Sequence, residues 1–453
     1  MIVMKFGGTS LADADRIRAA AEIVRGRLAR EPIVVVSALA GVTDLLVRAV
    51  AHARAGEREA LEPILSDLVR RHRWAVGGVD DPKRRHDLGL AVDALFEELR
   101  QLLRSMRILG EGTPRSSDAL LAYGEILSSR IATAIFADRG LPARLVDARE
   151  VVLTDERHGA AEPSIDEVAD RGLKTLAPLV AAGEVPVVAG FVGATRDGRT
   201  TTLGRGGSDA SAAVLGAALG AEEIEIWTDV DGVMTADPRR VPGARTRETV
   251  SFAEAAELAY YGAKVLHPAS IAPAVRRSIP VRVLNALRPE GRGTVIVDEV
   301  APGAPPVASV ASRAGVAALR VASRSLRADP AFLPRVLRAL EEERLAPDLV
   351  VASEVAVTLV LPGRPEAESI ARRLADHARV EVREGRGVVC VVGAGLAAQG
   401  VVRARVLEAV ARLEPELVAM GSSASSLAAL VPEERLDACV RALHAEFLDG
   451  EAR

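Results

Sequence analysis

The sequence predicts an α/β protein built on an open, mostly parallel β-sheet with helices on both faces. Short runs rich in Val and Ile alternate with longer helical patterns through the first part of the chain. Such runs are typical of strands that are buried on both faces and joined by helices. The segment APGAPPVAS at 301–309 carries three prolines and a glycine. A linker of this kind predicts a boundary before a second, α+β part of the chain.

The individual elements follow from these patterns. The candidate strands are the apolar runs at 2–6, 33–37, 143–146, 185–189, 224–228 and 281–284. Apolar residues at helical spacing predict helices at 13–28, 43–53, 118–137 and 208–219. Residues 58–110 are charged, helical in pattern and without a strand signal, so they are interpreted as a helical insertion with a mainly structural role.

The C-terminal part contains an internal repeat. RVLRAL at 335–340 recurs as RVLEAV at 405–410, and SEVAVTLVLP at 353–362 parallels SASSLAALVP at 423–432. Both pairs are offset by 70 residues (405 minus 335, 423 minus 353). The repeat predicts a duplicated helix-then-strand module.

Composition excludes several classes of protein. Lys plus Arg number 58 against 62 for Asp plus Glu, a net charge of -4, so no positive field gathers nucleic acid. Cys390 and Cys439 are far apart in apolar settings, which predicts buried thiols rather than a disulfide or a metal site. The apolar run at the N-terminus is too short for a signal peptide, and no uninterrupted apolar stretch reaches the roughly 20 residues of a membrane span. We therefore expect a cytoplasmic protein without nucleic-acid or membrane partners and without a metal site of its own.

The motif KFGGTS at 5–10 carries the first sign of chemistry. Lys5 ends an apolar strand, and Gly7 and Gly8 form the turn that follows. Backbone N–H groups and a cation then face the same point, which is typical of a phosphate site. The motif is not a Walker A loop, whose lysine follows its glycines. An ordinary strand-to-helix turn explains the motif equally well when it is considered alone.

Three further motifs favour the phosphate site. GRTTTLGRGGSDASAA at 198–213 places Arg205 and Asp209 among glycines at the start of a small-residue helix, which a plain surface loop does not explain. IWTDVDGVMTADPR at 226–239 runs from a strand into Thr228 and Asp229, where open α/β sheets bind nucleotides. YGAKVLHP at 261–268 adds Lys264, although a lone lysine there is usually solvated.

These four motifs, in this order and together with VSALAGVTDLL at 36–46 and YGEILSSRI at 123–131, resemble the aspartokinase family over nearly the whole chain. The resemblance implies an amino-acid kinase catalytic domain at 1–298, with the helical insertion at 58–110. It also implies two ACT domains, at 308–380 and 385–453, with the option that the last strand of the second returns to the first. The implied reaction moves the γ-phosphoryl group of ATP, with Mg²⁺, to the side-chain carboxylate of L-aspartate and gives 4-phospho-L-aspartate. This reaction opens the biosynthesis of lysine, threonine and methionine.

The resemblance assigns roles to particular residues. Lys5 and Asp209 match the catalytic positions, and the acceptor carboxylate, with an ordinary pKa of about 3.9, is already ionised and needs no general base. Asp209 is therefore expected to orient Lys5 or to hold Mg²⁺. The expected aspartate-binding residues are Thr43, Glu125, Arg205, Gly206, Gly207 and Ser208, with Arg205 gripping a carboxylate and Glu125 receiving the ammonium. The expected nucleotide-binding residues are Lys5, Gly7, Gly8, Thr228, Asp229, Met234, Arg239, Lys264 and Val265, and Met234 stands where the family commonly has an adenine-stacking tyrosine.

The ACT domains imply regulation and assembly. Asp348, Ser353 and Glu354 match the effector site of lysine-sensitive members, so lysine or threonine is an expected effector. Asp329, Ala331 and the pair Ser425–Ser426 depart from the common pattern. ACT domains commonly pair through sheet edges, which implies a homodimer or a homotetramer.

Three alternatives stay open. The run VVGAGLAAQG places Gly393, Gly395 and Ala398 in the G-x-G-x-x-A spacing of an NAD(P)-binding oxidoreductase, although too few residues follow for a doubly wound domain. Another small-carboxylate kinase of the same fold would keep the sheet and change the acceptor. A non-catalytic amino-acid sensor would use the ACT domains alone, against which the presence of Lys5 and Asp209 argues.

Overall fold

The computed structural model describes residues 1–262, 266, 268–301, 303–324, 329–420 and 424–449. Within them the chain divides into two compact units. The first contains residues 1–232 and the described residues of 266–298. The second contains residues 233–262 and the described residues from 299 onward. The range 1–298 predicted for the catalytic domain thus includes a segment that clusters with the C-terminal residues.

The first unit is built on nine strands and eleven helices of the described residues, in chain order. Its strands are β1 Ile2–Phe6, β2 Pro32–Val36, β3 Ala143–Val146, β4 Val185–Ala189, β5 Val192–Ala194, β6 Thr200–Thr202, β7 Ile224–Thr228, β9 Val281–Asn285 and β10 Thr294–Val297, with β8 Thr249–Ser251 falling in the second unit. Its helices are α1 Ala14–Arg25, α2 Val42–Arg54, α3 Arg58–Val76, α4 Pro82–Leu109, α5 Pro114–Leu121, α6 Tyr123–Asp138, α7 Ala148–Val151, α8 Ile165–Thr175, α9 Ala177–Ala181, α10 Gly207–Leu219 and α12 Ala272–Arg276, with α11 Phe252–Tyr260 falling in the second unit. Single 3₁₀ turns lie at Gly8–Leu11, Leu28–Arg30 and Pro268–Ile271.

The main sheet has the predicted character. Its strands run in the order β3-β4-β2-β1-β7-β9-β10 within the first unit, all parallel except β10, which is antiparallel to β9. Strands β1, β2 and β4 are buried along their whole length, which accounts for their continuous apolar sequences. Helices α6 and α10 pack against the sheet. The prediction of an open, mostly parallel sheet with covering helices is confirmed.

The predicted insertion forms a pair of helices that belongs to the core. Leu61, Leu68, Phe96 and Leu99 of α3 and α4 lie in the same hydrophobic cluster as β1. Helix α4 also holds the start of α6, since the hydroxyl of Tyr123 donates to Glu98 Oε2 at 3.1 Å. The pair therefore buttresses α6, which agrees with the structural role predicted for this stretch.

One helical stretch is apolar enough to resemble a membrane span. Residues Pro114–Asp138, which comprise α5 and α6, are long and apolar enough to cross a membrane by length and composition alone, although 72% of the most apolar window is buried in the fold. Glu125 and Arg130 interrupt this stretch, so it is not an uninterrupted apolar run of the kind that the sequence analysis excluded. Since α6 packs against β2, β3 and β4, its apolar character has a sufficient explanation as a core helix.

The second unit carries an antiparallel sheet in the order β12-β13-β11-β14-β16-β15. Its strands are β11 Ser309–Ser323, β12 Leu349–Ala352, β13 Ala356–Leu361, β14 Ala378–Val392, β15 Leu417–Met420 and β16 Ser426–Pro432. Its helices are α11, α13 Phe332–Glu342, α14 Arg364–Leu374, α15 Gly395–Ala398, α16 Gly400–Ala411 and α17 Glu433–Phe447. The repeated sequences fall on α13 and α16 and on β13 and β16, so the helix-then-strand repeat is present in the fold.

The two repeats share their longest strands. The first half of β11, Ser309 to Arg313, pairs with the second half of β14, and the second half of β11 pairs with the first half of β14 after an irregularity around Val316. Strand β13 pairs with the second half of β11, whereas β16 pairs with the second half of β14. The second repeat therefore takes the first half of β11 from the range 308–380 predicted for the first, whereas the first half of β14, at 378–383, extends the sheet of the first repeat into the residues between the two predicted ranges. The described chain ends in α17, so no final strand returns to the first repeat within residues 424–449.

Candidate active site

Lys5 lies at the carboxyl end of the central strand. Strand β1 is flanked by β2 and β7, which lead the chain to opposite sides of the sheet, and open α/β sheets bind ligands where strand order reverses in this way. The side chain of Lys5 is almost buried, at 10% exposure, and its Nζ lies 2.6 Å from Oδ1 of Asp209. A buried ion pair needs good geometry to offset the loss of water, and here the two charges are in direct contact.

Asp209 reaches this position because α10 starts beside β1. The helix is capped by Gly206, which has a positive φ of 70°, and Asp209 lies in its first turn. The partial positive charge of a helix N-terminus favours a carboxylate there. The helix contains mainly Ala and Gly, so it can approach β1 and β2 closely.

The glycine turn after β1 is set by a close approach. A Cβ on Gly8 would lie 2.9 Å from the carbonyl oxygen of Ala38, so any larger residue would push the two loops apart. The backbone N–H of Gly7 donates to the carbonyl of Trp227 at 2.9 Å, which fixes the turn against the end of β7. The turn also lies beside the side chain of Lys5. A Cβ on Gly7 would lie 3.6 Å from the Nζ of Lys5.

Glu125 is the most perturbed acid of the site. It lies in the first turn of α6 and is 3% exposed. Burial raises the pKa of its carboxyl to about 8, although hydrogen bonds from backbone N–H groups, including that of Ala38, and the charge of Lys5 oppose the shift. Its Oε2 has no hydrogen-bond partner among the described residues. A buried carboxyl oxygen without a hydrogen-bond donor lowers the stability of the fold. This oxygen is therefore a candidate to bind a ligand that donates hydrogen bonds.

These groups line one cavity of about 380 Å³ in the first unit. The predicted residues on its wall are Lys5, Gly8, Thr43, Glu125, Arg205, Gly206, Gly207, Ser208 and Asp209. Arg205 is exposed and has no ion-pair partner within the described part of the chain. The cavity therefore presents a cation free to bind an anion, a buried acid and the lysine–aspartate pair.

Two helices begin at the same cavity. The N-terminal ends of α2, with Gly41 and Thr43, and of α10, with Gly207 and Ser208, both line it. Their unpaired backbone N–H groups and partial positive charges favour anionic ligands. The cavity thus fits a small molecule that carries carboxylates or phosphates and an ammonium group.

Comparisons with known proteins agree with this site. A model of the amino acid kinase family matches residues 1–285, and a model of the ACT domain matches residues 389–447. The lysine-sensitive aspartokinase 3 of Escherichia coli is 34% identical over 99% of both chains. Aspartokinase 2 of Arabidopsis thaliana, a chloroplastic protein, is 33% identical over 99% of this chain and 84% of its own length.

The chain belongs to the aspartokinase family.

Solved structures extend the comparison to the fold. The crystal structure of Escherichia coli aspartokinase III in complex with lysine and aspartate, a T-state, has a TM-score of 0.88 at 33% identity and covers 99% of this chain and 100% of its own. That of the same enzyme in complex with aspartate and ADP, an R-state, has a TM-score of 0.82 at 33% identity with the same coverage. This aspartokinase is therefore a phosphotransferase of the amino acid kinase fold with a C-terminal ACT region.

The residues predicted to bind the nucleotide fall in both units. Thr228 ends β7 in the first unit, and its hydroxyl donates to Asp229 Oδ1 at 3.2 Å. Met234 and Arg239 fall in the second unit. The guanidinium of Arg239 is 87% exposed and paired with Asp237 at 2.7 Å. Lys264 and Val265 lie outside the described residues.

Several cavity residues were missed by sequence reasoning. Ser37 and Asp44 lie in the segment after β2, within the VSALAGVTDLL motif, and Phe191 follows β4 with a positive φ of 65°. The available signal was their position, since the carboxyl ends of neighbouring parallel strands meet at one edge of the sheet. Their residue types alone gave no indication of a site.

The predicted effector residues are separated within the aspartokinase chain. Asp348 precedes β12 and is paired with Arg313 at 2.6 Å, and burial raises the pKa of its carboxyl. Ser353 and Glu354 follow β12, in the turn to β13. Because β12 is extended, Asp348 and Ser353 lie about 16 Å apart along the strand. One chain therefore does not bring these three residues together around a single small molecule.

The dinucleotide alternative fails on geometry. A Cβ on Gly393 would lie 2.2 Å from the carbonyl oxygen of Pro306, and one on Gly395 would lie 2.4 Å from the Pro306 Cβ. These glycines allow two backbones to pack closely, which leaves no space for a pyrophosphate. The strand before them, β14, belongs to an antiparallel sheet and not to a βαβ unit.

Proposed function

We propose that this aspartokinase transfers the γ-phosphoryl group of ATP to the side-chain carboxylate of L-aspartate and that the 380 Å³ cavity holds the acceptor. The observation that carries the proposal is the buried, unpartnered Oε2 of Glu125 in the same cavity as Arg205 and the pair of Lys5 and Asp209. Aspartate carries two carboxylates, which suit the cations Arg205 and Lys5, and an ammonium group, which suits the unpartnered acid Glu125.

Arg205 and Glu125 hold the two ends of the acceptor. The planar fork of the Arg205 guanidinium binds one carboxylate of aspartate through two parallel hydrogen bonds. The Oε2 of Glu125 accepts a hydrogen bond from the ammonium group. Thr43 and Ser208, at the starts of α2 and α10, add hydroxyl and backbone donors. The second carboxylate is left to face Lys5.

Lys5 stabilises the charge of the group in transfer. The acceptor carboxylate is already ionised near neutral pH, so the barrier comes from bringing two anions together and not from removing a proton. The Nζ of Lys5 supplies a fixed positive charge where negative charge develops. Asp209 holds this ammonium group in place, and we assign no general base.

ATP and Mg²⁺ complete the site. We assign the nucleotide to the ends of β1 and β7, through Lys5, Gly7, Gly8, Thr228 and Asp229, with Met234, Arg239, Lys264 and Val265 as further proposed contacts. The described residues contain no cluster of three or more acids, histidines or cysteines that would form a metal cage of their own. This suits Mg²⁺, which usually binds through substrate phosphates and one or two carboxylates. We assign Asp209 to hold the ion, which would neutralise phosphate charge.

We also propose feedback regulation and assembly through the ACT region. Lysine is the first candidate effector and threonine the second, with Asp348, Ser353 and Glu354 as the proposed contacts. The outer strands of the six-stranded sheet, β12 and β15, expose Val350 at 41% and Met420 at 43%. Edge strands with exposed apolar residues favour pairing with a second copy of the chain, so we propose a homodimer or homotetramer acting in the cytoplasm.

An ADP-release assay across small carboxylates tests the proposed function. ATP and Mg²⁺ are mixed with L-aspartate, L-glutamate, acetate or N-acetylglutamate, and hydroxylamine traps any acyl phosphate as a hydroxamate. We expect release of ADP and formation of a hydroxamate with L-aspartate alone. Equal turnover of another acceptor, or none with aspartate, would refute the assignment. Repeating the assay with lysine, threonine and methionine identifies the effector.

A further inference from the structure

Asp118 is a buried carboxylate that does not line the cavity but makes several hydrogen bonds close to it. The side chain of Asp118, on α5, is 1% exposed. Its Oδ2 lies 2.8 Å from Nδ1 of His158, its Oδ1 accepts from the hydroxyl of Thr202 at 2.5 Å, and both oxygens accept from the backbone N–H of Gly159 at 3.0 Å. Since a carboxylate only accepts, the His158 ring donates through Nδ1. All of these donors come from residues far away in the sequence.

The donors surround the backbone that carries Arg205. Thr202 ends β6, three residues before Arg205, and its carbonyl accepts from Ala161 N at 2.9 Å. Gly204 has a positive φ of 76°, and a Cβ there would lie 3.1 Å from the carbonyl oxygen of Gly159. The loop that contains Gly159 is thus packed on the turn of Arg205, and Asp118 bonds to both.

The other end of the connection is the helix of Glu125. Asp118 on α5 precedes Glu125 on α6 by seven residues, which is about two helical turns or about 10 Å. The backbone bonds continue across the junction of α5 and α6, from Ala122 N to the carbonyl of Asp118 and from Ile126 N to that of Ala122, each at 3.0 Å. Asp118 therefore joins the segment that carries Arg205 to the helix that carries Glu125.

We propose that Asp118 is a positioning residue that sets the spacing between Arg205 and Glu125, and so determines the affinity of the kinase for its amino-acid acceptor. This inference rests on the proposed function, which assigns these two side chains to aspartate. Arg205 has no ion-pair partner among the described residues, so its position depends on its backbone turn. A two-point grip on a small acceptor tolerates little change in spacing, because both contacts must form together.

Three variants test the proposal. Asp118→Asn keeps the size of the side chain but turns an NH₂ group toward N–H donors, and we expect it to raise the aspartate KM at least tenfold while the ATP KM changes by less than about twofold. Thr202→Val removes one donor and should raise the aspartate KM by a smaller factor, about threefold. His158→Asn keeps a hydrogen-bond donor on a smaller side chain, whereas His158→Phe has none. The aspartate KM of His158→Asn should therefore lie nearer to the wild-type value than that of His158→Phe.

A matched control separates positioning from general stability. Glu225 on β7 is also a fully buried carboxylate, bonded to Arg27 Nε and to the indole Nε1 of Trp227, each at 2.9 Å. Glu225→Gln removes a buried charge away from the cavity wall, so it should lower the melting temperature without moving the aspartate KM. The melting temperature is measured for every variant.

The outcomes distinguish this inference from the function on which it rests. Absence of aspartate-dependent ADP release in the wild type would refute the function and the inference together. With an active wild type, Asp118→Asn that loses stability but keeps the aspartate KM would overturn the positioning role alone. The same holds if the KM values for aspartate and ATP rise by equal factors. Should Asp118→Asn not fold, an unmoved aspartate KM in Thr202→Val and His158→Phe overturns the inference.

Discussion

The Nζ of Lys5 lies 2.6 Å from Oδ1 of Asp209, and both side chains are largely shielded from water. The two residues are 204 positions apart in the chain (209 minus 5) and meet because α10 begins beside the end of β1. An ammonium group held in this way does not need to reorganise when charge develops nearby, which is the condition for effective electrostatic catalysis.

Lys5→Ala should lower kcat by about a hundredfold to a thousandfold, the usual cost of one preorganised charge donor. It should also reduce stability, because Asp209 would remain buried without its partner. Steady-state kinetics and thermal unfolding measure both effects. Lys174→Ala, which removes an exposed lysine on α8, is the control and should change neither. A kcat near the wild-type value in Lys5→Ala would exclude the catalytic assignment.

Arg205→Ala should act mainly on the acceptor. We expect the aspartate KM to rise at least tenfold, because a bidentate contact to a carboxylate is lost. Arg205→Lys should restore little, since an ammonium group cannot reproduce the planar fork. Arg199→Ala removes an exposed arginine in the turn before β6, paired with Asp197, and serves as the control. Unchanged aspartate kinetics in both Arg205 variants would remove this residue from the acceptor site.

Glu125 should give the protein an unusual dependence of stability on pH. Its pKa rises from 4.5 to about 8 on folding, so between these values the folded state holds a proton that the unfolded state has lost. The contribution of Glu125 to the free energy of unfolding therefore falls as pH rises through this window. Glu125→Gln removes the contribution. The melting temperature of the variant minus that of the wild type should increase from pH 5 to pH 8 and then level off. A difference that stays constant over this range would contradict the raised pKa of Glu125.

Aspartate binding should release protons for the same reason. At pH 7 the carboxyl of Glu125 is mostly neutral, because its pKa is about 8. An incoming ammonium group favours the ionised form, so binding should expel about one proton. Calorimetric titration of L-aspartate into protein saturated with a non-hydrolysable ATP analogue, in two buffers of different ionisation enthalpy, measures this release. Glu125→Gln should show none. Identical heats in both buffers for the wild type would argue against contact between Glu125 and the ammonium group.

The sheet and the cavity were predictable for a physical reason. Strands such as β1 and β4 are buried on both faces, so their sequences are continuously apolar. The ends of each apolar run therefore predict the ends of the strand. Lys5, Arg205 and Asp209 stand beside glycines at strand and helix ends, and polar residues in such places are seldom explained by packing. Their convergence in one cavity follows from the rule that parallel strands end at one edge of the sheet.

Long-range contacts were not predictable in the same way. Asp118 looks like an ordinary surface acid of a helix, and only the fold reveals that His158 and Thr202 reach it. Thr235 and His444, which lie 2.9 Å apart within the second unit, are 209 positions apart. Such pairings leave no local pattern, so sequence reasoning did not assign residues 233–262 to the C-terminal unit. The shared halves of β11 and β14 escaped it likewise, because a repeat fixes which elements occur but not which strands pair.

Regulation by lysine gives the last prediction. If the ACT region senses lysine through Glu354, lysine should inhibit the kinase, and Glu354→Ala should raise the concentration for half-inhibition at least tenfold while kcat without lysine stays unchanged. Glu354 is exposed in the turn after β12, so its loss costs little stability. Glu408→Ala, at an exposed acid of α16, is the control.

Asp348 and Ser353 lie about 16 Å apart on one strand, so a site that uses both must draw them from two chains. When the Asp348→Asn and Glu354→Ala proteins are mixed, hybrid assemblies should then recover part of the inhibition by lysine. Equal activity of the wild type with and without millimolar lysine would exclude lysine as the effector.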